Sequence, residues 1–178
     1  SGGKTYGHYL KTHSLFLGVK GAFEVVEAVN PTQFVSPFLR GNEVICEELE
    51  FKNDSYSKGK GLEVNINQLK KLVVDLSPDA VVGDKLPNLM TATYEIGLPY
   101  FSVTHVTQLT HNWENYDNPN LKLFNQYWAS RELEKPVNDE SWFFFRNWGN
   151  MVFFADPIGA DISILDEKGY KGEVIGHL

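Results

Sequence analysis

Leu62, Ile66, Leu69, Val73 and Leu76 recur at steps of four, three, four and three, and Ser77-Pro78 cuts the series off. That interval is the period of one helix face, and a proline disfavours helical backbone in the residue before it. Ala80-Val81-Val82 follows as a short apolar run leaving into Gly83-Asp84. Leu86 to Ile96 reads as a second helix, stopped by Gly97 and Pro99, and Tyr100 to Val106 is a β-branched and aromatic strand. Helix, strand, helix and strand at this spacing predict a parallel sheet with right-handed crossovers. The expected class is α/β, a Rossmann-like three-layer domain with a mainly parallel sheet.

The rest of the chain fits the same pattern less tightly. Asn118-Pro119 opens a predicted helix through Arg131, with Leu121, Phe124, Tyr127 and Trp128 as its apolar side. Val152 to Pro157 reads as a strand leaving into a turn, and Glu173 to Leu178 as a last short strand. Upstream, Leu10, Leu15, Phe16 and Leu17 mark a helix candidate broken by Gly18 and Gly21. Phe23 to Val29, Phe34-Val35 and Val44 to Leu49 are strand candidates. Residues 52–61 are polar and glycine-rich, a mobile loop by composition. A length of 178 residues predicts one domain spanning residues 1–178.

Composition narrows the function classes. Apolar residues are 42% of the chain, enough for a packed core and too many for a disordered segment. The net charge is −7 with no basic stretch, which argues against nucleic acid as a partner. The single cysteine, Cys46, builds no disulfide framework and points to a reducing, cytoplasmic setting. No apolar run approaches the roughly 18 residues of a spanning helix. Any membrane contact is therefore expected to be peripheral.

Ligands of open parallel sheets bind beyond the carboxyl ends of the strands. The Gly2-to-His8 turn, the Gly83-Asp84-Lys85 turn and the Thr104-His105 turn are expected there. His8 and Asp84 stand out. Removing a proton from a hydroxyl needs a base that titrates near neutral pH, which imidazole supplies, and a carboxylate behind it fixes the tautomer. The plainer reading of Asp84 is a helix N-cap. For His105 and His111 it is polar loop residues. No cluster with metal-ligand spacing is visible.

Several segments together resemble one family. Gly2-Gly3-Lys4-Thr5-Tyr6-Gly7-His8-Tyr9-Leu10 looks like the glycine-histidine loop after the first strand of GT-B glycosyltransferases. Residues 79–87, Asp79 to Pro87, are similar to the segment carrying an aspartate at the end of their fourth strand. Residues 97–105, Gly97 to His105, resemble the strand that follows. Phe154-Ala155-Asp156-Pro157 and Glu173 to Leu178 look like the end of the N-terminal domain. Within that family the segments resemble the UDP-glycosyltransferases and the lipid-glycosylating enzymes of similar build.

The resemblance implies an acceptor-binding N-terminal half that transfers a sugar, with inversion, from a nucleotide-sugar to a hydroxyl. It implies no metal or other cofactor. His8 would be the base and Asp84 the carboxylate behind it. Gly2, Gly3 and Gly7 would lie close to substrate, and Thr104 and His105 would be further cleft residues. A C-terminal domain or partner subunit would hold the donor, so the isolated half is expected to be inactive. The aromatic residues from Trp113 to Trp148 would either line a pocket for a small lipophilic acceptor or form core.

Two other classes compete. Gly3-Lys4-Thr5 matches the end of a phosphate-binding P-loop, and Leu72-Val73-Val74-Asp75 resembles an acid-ended strand. The other alternative is a non-catalytic subunit or scaffold of a two-component transferase.

Overall fold

A computed structural model describes residues 14, 15, 17–19, 21–24, 59–84, 86–109, 119–133 and 149–176. The chain divides into two compact units, Ser1–Lys52 with Leu178, and Asn53–His177. In the first, Ser14, Leu15 and residues 17–19 are helical, so Gly18 lies within helix instead of breaking it. The turn comes three residues later, where the Ala22 and Phe23 amides donate to Val19 O at 2.9 and 3.1 Å. The strands expected between Phe23 and Leu49 fall almost wholly outside the described residues.

The second unit begins with helix α1, Gly59–Leu76. Leu62, Ile66, Leu69 and Val73 are buried, as the stripe requires, with Leu76 half-buried. The helix takes in Gly59, Lys60 and Gly61, which the sequence assigned to a loop. Glycine costs up to about 1 kcal/mol per helical position, and burial of the neighbouring Leu62 offsets that cost. The chain leaves the helix at Ser77, whose φ of 48° is left-handed, and the Ser77 amide donates to Val73 O at 3.0 Å.

Helix α2, Pro87–Ile96, has proline in its first turn, where a missing amide costs nothing. It ends on Gly97 at φ 79°. Gly97 N–H donates to Tyr94 O at 2.9 Å and Leu98 N–H to Thr93 O at 3.2 Å, the paired bonds of a Schellman cap. Helix α3 spans Pro119–Ser130, within a residue of its predicted bounds. The short helix α4, Ser163–Glu167, has no counterpart in the sequence reading; five residues are too few for a periodic signal, and only Leu165 is buried.

Four strands, β1 (Val81–Gly83), β2 (Tyr100–Thr104), β3 (Met151–Phe154) and β4 (Gly172–Val174), form one all-parallel sheet in that order. This is the expected α/β, Rossmann-like arrangement. Register aligns Gly83 with Ser102, Thr104 with Phe154, and Val152 with Gly172. Gly83, Tyr100, Ser102, Thr104, Val152, Phe154 and Gly172 therefore share one face. Right-handed connections in a sequentially ordered sheet put α2, α3 and α4 on a single side. A Cβ on Gly172 would run into Leu165 of α4, which marks this shared face as the helix-covered one. Tyr100, Ser102, Thr104, Val152 and Phe154 are all buried there.

The helices contact each other as well as the sheet. Trp128 of α3 stacks on Tyr94 of α2 at 5.1 Å between centroids, and its Nε1 donates to Thr91 Oγ1 at 3.3 Å. Glu95 of α2 accepts from Lys70 Nζ of α1 at 2.5 Å and from Tyr127 Oη of α3 at 2.7 Å. One carboxylate thus joins all three long helices.

Candidate functional site

Three polar side chains stand at the carboxyl ends of adjacent strands. Asp84 is the first residue beyond β1, His105 the first beyond β2, and Asp156 the second beyond β3. Parallel pairing brings all three exits to the same edge. The sequence placed Asp84 and His105 there; the pairing of β1 with β2 confirms that they leave adjacent strands.

Asp84 is 3% exposed. The N-cap position of α2 is held by Leu86, two residues further on, so Asp84 does not occupy the cap that the plainer reading gave it. Gly83 just before it is pressed against a neighbour: a Cβ there would collide with Tyr100 Oη, so the strand exit admits only glycine without displacing a buried ring. Lys85, which follows, lies outside the described residues.

Thr104 is fully buried on the helix-covered face, whereas His105 is half-exposed. Strand β2 stops at Thr104, two residues short of its predicted end at Val106. Asp156 is the reason. Its Oδ2 accepts the Val106 N–H at 2.7 Å, which draws the backbone out of the ladder and into the 3₁₀ turn Val106–Gln108. The same oxygen lies 3.5 Å from His105 Nδ1. The ladder on either side stays intact, with Ala155 N–H donating to Thr104 O and Ile175 N–H to Phe154 O, both at 2.9 Å.

Gly2, Gly3, Gly7 and His8 lie outside the described residues, as do Trp113, His111 and most of the aromatic segment. The residue that sequence reasoning missed is Asp156. In sequence it belongs to a strand-to-turn segment and to the segment resembling the end of the N-terminal domain, neither of which singles it out. The available signal was an aspartate before proline at a strand exit, beside a histidine at the neighbouring exit.

The opposite edge is built differently. Asn150 Oδ1 accepts the Tyr100 N–H at 2.9 Å, and Asn150 N–H donates to Tyr100 O at 2.8 Å. A Cβ on Gly149 would sit 2.6 Å from Tyr100 O. This edge holds the start of β2 against the start of β3 through the backbone and side chain of Asn150.

Among the described residues, no group of three or more His, Cys, Asp or Glu side chains is arranged to hold a metal ion. No helix among them is long and apolar enough to cross a membrane. Fold and edge together define an α/β Rossmann-like domain with acidic and imidazole groups gathered at the strand exits. No protein-family model matches the chain, and no curated protein matches it significantly.

Proposed function

We infer that the chain is the acceptor-binding half of a GT-B-like glycosyltransferase, which transfers a sugar from a nucleotide-sugar to an acceptor hydroxyl. The observation that carries this reading is Asp84: a carboxylate buried at a strand exit, at the edge where parallel sheets bind ligands, and not serving as the helix cap. Ligands of open parallel sheets bind at that edge, so a carboxylate placed there favours a role in binding or catalysis. In this reading His8 takes the acceptor proton as the new glycosidic bond forms and the donor's sugar–phosphate bond breaks to release the nucleotide, and Asp84 serves as the carboxylate that the resemblance implies for that base. Gly2, Gly3 and Gly7 let substrate approach the backbone. The donor nucleotide is held by a second domain or a partner subunit, and no metal or other cofactor is required. The acceptor is small and lipophilic, consistent with peripheral contact with the inner face of a membrane.

The P-loop alternative loses one of its two supports. Leu72-Val73-Val74-Asp75 lies inside α1, and Asp75 pairs with Lys71 one helical turn away, so no acid-ended strand exists at that place. The test is sugar transfer by the complete enzyme. His8→Ala and Asp84→Asn are each expected to lower kcat by about 10²–10⁴-fold, the usual value of general-base catalysis. A loss below about tenfold in both removes them from those roles.

A further inference from the structure

Asp156 and His105 come from neighbouring strand exits, and register brings them together: Thr104 pairs with Phe154, so the residues that follow emerge side by side. The bond from Val106 N–H fixes Asp156 against the turn that carries the imidazole. The Asp156 side chain is 14% exposed and that of His105 44%, so the carboxylate stands behind and the imidazole in front. Their 3.5 Å separation is slightly beyond a formed N–H···O bond, about 2.7–3.2 Å.

A carboxylate facing Nδ1 favours the tautomer with its proton on that nitrogen, which leaves Nε2 as an acceptor. An acceptor calls for a donor. In sequence, the segments leaving β1, β2 and β3 carry Asp84, Asp156 and Asp161 against one cation, Lys85, so acids outnumber bases there. Such a negative edge disfavours phosphate and other anions.

We propose that His105 and Asp156 form a ligand-binding pair in which His105 Nε2 accepts a hydrogen bond from a hydroxyl of an uncharged, polyhydroxylated ligand. Asp156 is the positioning residue. The assignment names ligand chemistry for the edge used in the transfer reading, and rests on that reading only for the choice of a sugar over other alcohols.

The test is nitrogen-15 NMR of the intact protein, whose five histidines are sorted by the signal lost in His105→Gln. Neutral His105 is expected to carry its proton on Nδ1. Asp156→Asn keeps a carbonyl oxygen for the Val106 amide but removes the charge, and is expected to shift the population toward the Nε2–H tautomer. Methyl β-glucoside is expected to move the His105 Nε2 and Val106 amide signals saturably, and inorganic phosphate to leave them in place. Binding read on Val106 should weaken about fivefold in His105→Gln, the fold-change of one neutral hydrogen bond. A parent already in the Nε2–H form, or a tautomer unmoved by Asp156→Asn, overturns the pair. Glucoside that moves nothing, or binds His105→Gln equally well, overturns the ligand assignment. The transfer assay on His8→Ala bears on the other pair alone, so the two readings fail separately.

Discussion

Glu95 and Asp156 are both carboxylates that tie separate elements together, yet their surroundings give them different capacities. Glu95 has a 7% exposed side chain and divides its two oxygens between Lys70 Nζ and Tyr127 Oη. Both partners are side chains of packed helices. Asp156 uses one oxygen for a backbone amide and, more loosely, a half-exposed imidazole. The first carboxylate is enclosed among helix side chains and has stability to offer; the second stands behind a group that still meets solvent. In one domain, the same functional group acts as an internal brace and as a support for a surface side chain.

The largest effect that would break this contrast is at Glu95. Glu95→Ala leaves the buried Tyr127 hydroxyl without its acceptor and Lys70 without its counter-charge, an expected loss of about 2 kcal/mol. Urea unfolding with an unchanged m-value checks this; a loss equal to that at Asp156 would erase the distinction. Asp156→Ala frees the Val106 amide and is expected to cost about 1 kcal/mol, with Asp156→Asn recovering most of it because the amide oxygen still accepts. If Asn is as damaging as Ala, the charge and not the acceptor holds the turn.

The smallest effect sharpens the comparison through pH. Burial, and then the hydrogen bond to Glu95, raise the Tyr127 pKa above its ordinary 10.0. The folded state then holds the phenol proton more firmly than the unfolded chain. The linked stability is fully present below pH 10.0 and is lost as pH rises beyond it. Thermal melts of the parent are expected to show this alkaline decline, and Tyr127→Phe to flatten it. An unchanged slope would mean that Tyr127 does not carry the decline.

Periodicity and punctuation made the helix-strand-helix-strand core legible. The stripe from Leu62 to Leu76 needs only the helical repeat, and Gly97 and Pro99 mark a stop that local backbone geometry enforces. Asp84 and His105 were legible as exit residues for the same reason: a short apolar strand ending in a polar residue places that residue at the sheet's carboxyl edge. Helix α4 was not, since one buried leucine in five residues has no period. The early end of β2 was not, because the group that ends it lies 50 residues away.

By itself, the sequence determined the class of fold, the parallel direction of the strands and the edge at which polar groups collect. These follow from patterns of a few residues read against fixed repeat lengths. Tertiary structure alone decided which polar groups meet. The approach of Asp156 to His105 depends on β3 lying beside β2 in a particular register, and the closure around Glu95 on three helices packing on one another. Each contact joins side chains far apart in the chain, and no local preference of either partner encodes the distance between them.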